Sequence, residues 1–335
     1  MADFTLSETA ATLEKRIREN RLMSLPGPWA NDEAVFPYYN GLSLLNIPHT
    51  MAALLGGELP NPTPLLPEVF GDTPPQDVER VVVFLTDGLG YLWLQQLLDE
   101  DEALRQAVHD LTEGRGAVPL TSVAPSTTAN ALPTLWTGAG TGQHGMVGTL
   151  AYLEEINMVA DLLTYRPMPS GAYPGDLLRW RAIDPKTFIP APGVSEILAQ
   201  QGIPTHSLLY KDYIGSGLSL MLHRGVEHHH PHMSLSDFWL RVHNVLQQTR
   251  GQKCLVQIYW PAVDALSHAY GAQSEFVRNE VHEQFLKLRD IVTRPDVHDG
   301  KTALLIFADH GHYDVKNIVT LRKDPQTHTI ADGLA

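Results

Sequence analysis

An apolar run that ends abruptly in charge constrains this chain more than any other feature. From Ala303 to Ala308 no position is polar, and the run then stops at Asp309, His310 and Gly311. A strand without a polar face is hidden on both sides, which is the pattern of a parallel sheet covered by helices. Val81-Val-Val-Phe-Leu-Thr-Asp87 repeats it and is followed by Gly88, while Cys254-Leu-Val-Gln-Ile-Tyr-Trp260 leads into Asp264, with His268 four residues on. Open α/β sheets place ligands at the carboxyl ends of their strands. Three such ends are therefore expected to bring three Asp and two His to one rim.

The spacing between these runs supports the same class. It predicts a helix over 91–108, a strand over 118–124 and a helix over 128–137 that Pro133 would kink. A helix over 193–201 and a strand over 203–210 follow, then a helix over 234–249 before the Cys254 run and a long one over 274–293 before the last strand. Strands alternating with helices of this length imply right-handed crossovers and a mostly parallel α/β sheet. Residues 152–192, rich in Pro, Gly and aromatics, break the alternation and are expected to form a small inserted cap. His228-His-His-Pro-His232 reads as a solvated loop. Upstream, Leu6, Ala10, Leu13 and Ile17 recur at helical spacing within residues 1–23, with Thr5 or Ser7 as N-cap, and residues 24–79 are Pro- and Gly-rich. The expected division is 1–79 as an N-terminal helix and lead-in packed on the core, and 80–335 as the domain that carries the site.

A formal charge of -14 opposes binding to a nucleic-acid polymer or an anionic membrane, because neutralising phosphates requires clustered Lys and Arg. A phosphate bound by so acidic a chain needs cations beside it. The single cysteine, Cys254, falls inside a predicted strand, so no intrachain disulfide or Cys-based zinc knuckle forms. No window approaches the roughly 20 apolar residues of a spanning helix. A cytoplasmic protein acting on small molecules is the expectation.

Carboxylates and imidazoles on rigid strand ends suit a pair of divalent ions, which together can clamp a phosphoryl group. Asp264 and His268 would share one ion if the residues between them form a helical turn. Asp309 and His310 are adjacent, so their side chains should diverge, and Asp87 adds a third carboxylate. In Pro125-Ser-Thr-Thr-Ala-Asn130 a hydroxyl at the first turn of the following helix would sit among free backbone N–H groups that attract phosphate. Thr128 is the candidate nucleophile, with Thr127 and Ser126 behind it. Each residue also has a plainer reading: Asp87 and Thr128 as helix caps, His144 as packing, His312 as a support behind the ligands.

Taken in order, Thr86-Asp87-Gly88, Pro125-Ser-Thr-Thr128, Leu135-Trp-Thr-Gly138, His144-Gly145, Asp264 with His268, and Asp309-His310-Gly311 resemble the type I phosphodiesterase and nucleotide pyrophosphatase family of the alkaline phosphatase superfamily. The resemblance runs from Arg80 to His312. It implies an alkaline-phosphatase-like three-layer sandwich and a phosphodiesterase acting through a phosphorylated or nucleotidylated threonine. It also implies two zinc ions, one among Asp87, Thr128, Asp309 and His310, the other on Asp264 and His268. The implied substrate is a small phosphoester, with a nucleotide among the candidates because the family includes nucleotide-cleaving members. The same site would also serve a phosphomonoesterase or phosphomutase, or, with an incomplete metal set, a phosphate-binding protein without catalysis. A sulfatase is disfavoured because no Cys or Ser stands in a Cys/Ser-x-Pro-x-Arg setting. Two departures from the family pattern stand out. The family completes its second ion with a His well downstream, and here the only later one is His328; either it substitutes, or the sequence stops short of the ligand, which the close at Ala335 favours. Thr149 occupies the place where nucleotide-cleaving members tend to carry a phosphate-binding Asn.

Overall fold

The computed structural model describes residues 8–21, 34–71, 74–168 and 172–315. The cap candidates Thr5 and Ser7 and the ligand candidate His328 lie outside them. Helix α1 (Glu8–Glu19) and α2 (Asn46–Leu54) precede strand β1 (Arg80–Thr86), which is followed by α3 (Tyr91–Glu100), α4 (Glu102–Leu111), α5 (Thr128–Thr137) and the short α6 (Thr141–His144). The stretch after α6 holds β2 (Leu150–Leu153), β3 (Met158–Asp161), β4 (Arg166–Pro167), α7 (Asp176–Arg179) and α8 (Pro185–Phe188). Then come α9 (Val194–Gln200), β5 (Thr205–Tyr210), α10 (Gly217–Leu222), β6 (His228–His232), α11 (Leu235–Gln248), β7 (Cys254–Trp260), α12 (Ala262–Tyr270), α13 (Glu275–Val292) and β8 (Thr302–Phe307).

Five strands form one parallel sheet in the order β6-β5-β7-β1-β8, and β2-β3-β4 form a separate antiparallel one. β1 is buried along its whole length, and its side chains alternate between two apolar layers. Val81, Val83 and Leu85 face α2, α5 and α9 through residues such as Met51, Leu135 and Leu198. Val82 and Phe84 face α11 and α13, where Phe84 meets Phe238 edge-on. A third apolar layer joins α3, α4, α12 and α13. Each fully buried large side chain contributes roughly 1.5–3 kcal/mol, so covering both faces of β1 is what commits the chain to helices on both sides of the sheet.

Arg80 is the exception in that strand. Its side chain is 2 % exposed. Nε donates to Thr302 Oγ1 at 2.9 Å, Nη1 to Leu246 O and Thr249 Oγ1, and Nη2 to Val297 O at 3.1 Å, with Asp299 Oδ2 3.4 Å away. Leu246 O is one of the last carbonyls of α11, which have no partner inside the helix. One buried cation thus ties together β1, the end of α11 and the turn into β8, at the rim opposite the strand ends that carry Asp87 and Asp309.

Several expectations change. The 91–108 stretch is two helices, broken at Asp101, whose side chain caps α4 by accepting from Leu104 N. Residues 118–124 form no strand and contribute a single bridge between Thr121 and Ser43. His228–His232 is an ordered strand, pairing with β5 in register. β8 pairs only with β1 among the described residues and is half-buried, because an unbroken apolar run marks a strand without saying whether it lies at the centre or the edge.

Candidate functional site

The site forms where β1, β7 and β8 end side by side. β1 pairs with both of the others through its last residues, Leu85 opposite Phe307 and Thr86 opposite Trp260, so the residues that follow emerge on one rim. Asp87 N donates to Trp260 O at 3.0 Å, which holds the turn against β7. Gly88 then adopts φ +80, and a Cβ there would lie 2.8 Å from His312 Nε2 and 3.1 Å from Asp264 Cα. Only glycine suits both the backbone conformation and the space. Asp309 Oδ1 accepts from Gly88 N at 3.1 Å, binding the two strand ends to each other.

Around this frame, donor atoms of Asp87, Asp309 and His310 lie within 4.8 Å of one another. His310 Nε2 is 3.5 Å from Asp87 Oδ1 and 3.5 Å from Asp309 Oδ2. The expected divergence of Asp309 and His310 therefore does not occur: the chain turns after β8 and folds both side chains onto one point. Thr128, the first residue of α5, brings Oγ1 to 3.0 Å from His310 Nε2 and 3.4 Å from Asp87 Oδ1. His310 Nδ1 is 3.1 Å from Gly311 O. A carbonyl only accepts, so the ring proton is on Nδ1, and Nε2 keeps its lone pair toward Thr128. Thr127 is the N-cap residue of α5, and no hydrogen bond links its hydroxyl to the cluster among the described residues. Thr149 stands at the bend before β2, where its carbonyl accepts from Leu162 N at 2.8 Å.

A second group gathers Asp264, His310 and His312, again within 4.8 Å. Asp264 lies in the first turn of α12 and His268 one turn on, with His268 Nε2 3.5 Å from Asp264 Oδ1, as the four-residue spacing requires. His312 approaches closer, at 2.8 Å.

The electrostatics of the two groups differ. Burial raises the Asp87 carboxyl well above the ordinary range, the nearby Asp309 charge raises it further, and the Tyr259 hydroxyl, donating to Oδ2, only partly offsets this. Burial also raises Asp309, against hydrogen bonds that favour its charged form. Burial likewise pushes Asp264 up, but His312 and the neighbouring imidazoles more than offset it, so that carboxyl sits below the ordinary value. Asp309 is 0 % exposed, and its Oδ2 has no hydrogen-bond partner among the described residues. A buried carboxylate oxygen without a partner is costly, and a cation among Asp87, Asp309 and His310 would both satisfy it and relieve the repulsion between the two acids. The residues present fit a divalent ion, and mixed carboxylate and imidazole donors suit zinc.

Three supporting residues escaped the sequence reading. Tyr259 orients Asp87 from the neighbouring strand, Ser122 Oγ donates to Asp309 O at 2.6 Å, and Asn130 Nδ2 donates to Pro125 O at 2.8 Å, steadying the turn that presents Thr128. Only Tyr259 left a trace in the sequence, as a polar group near the end of an apolar run. His144 takes a packing role: Nδ1 accepts from Met146 N, Nε2 faces Thr134 Oγ1 at 3.0 Å, and burial lowers its pKa to about 4.

A family model described as type I phosphodiesterase / nucleotide pyrophosphatase matches residues 81–331. No curated protein matches. Among solved structures, murine ectonucleotide pyrophosphatase / phosphodiesterase 5 is similar at 17% identity over 75% of this chain and 62% of that one, with a TM-score of 0.50. An inactive variant of it in complex with AMP gives 16% identity, 74% and 62% coverage and a TM-score of 0.51. The chain thus spans about three fifths of the length of these structures, and at such identity the likeness is one of fold.

Proposed function

Because the chain belongs to the type I phosphodiesterase / nucleotide pyrophosphatase family, we propose that it hydrolyses a small phosphodiester or nucleotide pyrophosphate with Thr128 as nucleophile. The observation that carries this reading is the Thr128 hydroxyl, placed at a helix first turn within 3.4 Å of Asp87 and 3.0 Å of His310, beside the unpartnered oxygen of Asp309. Asp87, Thr128, Asp309 and His310 would hold one divalent ion, Asp264 and His268 the other. When bound, such ions make a hydroxyl a better nucleophile and offset charge on the phosphoryl oxygens.

The chain's own residues do the rest. The amides of Thr128 and Ala129 are not spent on the helix ladder of α5, so the first turn offers N–H donors to a non-bridging phosphoryl oxygen. Thr128 Oγ attacks phosphorus in line; the Oγ–P bond forms as the bond to the leaving oxygen breaks, and the hydroxyl proton ends on the leaving group or in solvent. Water then attacks the threonyl ester on phosphorus, the Oγ–P bond breaks, and one proton of that water passes to Thr128 Oγ. Asp87 is held for this by Tyr259, and the Thr128 turn by Asn130. A nucleotide substrate is supported by the AMP complex of the similar murine protein.

The test is Thr128→Ala assayed on bis(p-nitrophenyl) phosphate and on the p-nitrophenyl ester of AMP. Turnover should fall on the order of 10³-fold or more while bound zinc, read by elemental analysis, remains. Unchanged turnover would remove Thr128 from the mechanism.

A further inference from the structure

We infer that His312 is a ligand of the second ion, sharing it with Asp264 and His268; this rests on the two-ion reading above. His310 is the residue common to both metal-capable groups, yet it can serve only one. Its Nδ1 proton is committed to Gly311 O, which leaves a single lone pair on Nε2. That lone pair lies 3.5 Å from both Asp87 Oδ1 and Asp309 Oδ2 but 3.9 Å from Asp264 Oδ1, so His310 belongs with the first ion. Among the described residues the second is left with Asp264 and the imidazoles around it.

Of those imidazoles His312 is the better placed. Its side chain is 16% exposed and its Nε2–H donates to Asp264 Oδ1 at 2.8 Å, a proton that an ion bound there displaces, whereas His268 is 73% exposed and 3.5 Å away. Two donors of one tetrahedral zinc with bonds of about 2.0–2.1 Å stand roughly 3.3 Å apart, so small shifts seat an ion against all three side chains. The rings of His268 and His312 are already neighbours, with centroids 5.1 Å apart. The backbone makes room for this arrangement: a Cβ on Gly88 would collide with His312 Nε2, and a Cβ on Gly90 would lie 2.8 Å from Gly311 Cα, so glycines let the turn after β8 close onto the turn after β1.

The experiment is zinc stoichiometry after equilibrium dialysis of the 335-residue chain, with the visible absorption of Co²⁺ as a second readout of coordination. Wild type should take up two equivalents. His312→Asn should retain the first and bind the second more than about 100-fold more weakly, beyond the 10- to 100-fold cost of losing an outer-shell partner. His312→Asp, which supplies a carboxylate donor in place of the imidazole, should recover the second equivalent with a Co²⁺ spectrum shifted by the change of donor; circular dichroism verifies that each variant is folded. Two equivalents of unchanged affinity in His312→Asn overturn the inference alone. A wild-type chain that binds fewer than two overturns the two-ion reading as well.

Discussion

Replacing Arg80 by Met tests how the rim opposite the site is held. The guanidinium is buried and meets three main-chain or hydroxyl acceptors besides Thr302, along with the Asp299 carboxylate. Burial pulls its pKa down and Asp299 pulls it up. Met keeps the length and apolar stem but removes the guanidinium paired with Asp299, whose side chain is 8% exposed. Removing one member of a buried pair costs about 3–5 kcal/mol. Asp299 still accepts from Lys301 N and the Thr302 hydroxyl, which places the loss toward the lower end. Uncapping the Leu246 carbonyl at the negative end of α11 adds about 0.5–1 kcal/mol. The expected total is about 4 kcal/mol, a large share of the roughly 5–15 kcal/mol that holds a folded protein together. Urea denaturation followed by tryptophan fluorescence reads it as a lower midpoint at constant slope. In a cycle with Asp299→Asn, the double variant should lose less than the sum of the singles by about 1–3 kcal/mol. Arg80 stands seven positions before Asp87, about 20 Å along an extended strand, so turnover per folded molecule should not change. A loss under about 1 kcal/mol, or an additive cycle, would refute the reasoning.

Two further outcomes follow from the structure. Gly88→Ala should destabilise by about 1–3 kcal/mol and reduce turnover at least tenfold, since its Cβ meets His312 and the backbone of Asp264; thermal melts and initial rates check both, and wild-type behaviour would show that the turn adapts. His144 has a folded-state pKa lowered to about 4 from 6.5, so its contribution is fully present above pH 6.5 and is lost as pH falls from there toward 4, where the unfolded chain takes up a proton that the folded one refuses. His144→Gln should flatten the dependence of the urea midpoint between pH 6.5 and 4 by about 1–2 kcal/mol, and a slope identical to wild type would rule this out.

The sequence was sufficient for whatever depends on spacing along the chain. Alternating apolar strands and amphipathic helices determined a parallel α/β sheet, because hydrophobic period selects secondary structure and crossover handedness limits topology. Asp87 and Asp309 were legible as strand-end acids, Thr128 as a first-turn hydroxyl, and Asp264 with His268 as a helical pair. Proximity between segments was not legible. Asp87 and Asp309 are 222 positions apart in the numbering, and only pairing of β1 with β8 brings their turns together; the same closure swings His310 onto Thr128 and sets His312, rather than His268, nearest Asp264. Likewise His228–His232 carries no apolar signal and became a strand because the β5 edge accepted its backbone, while residues 118–124 looked like a strand but found no partner in the described sheet. Local preference is set by a few neighbouring side chains, whereas edges, orphan oxygens and shared ligands exist only after distant backbones have paired.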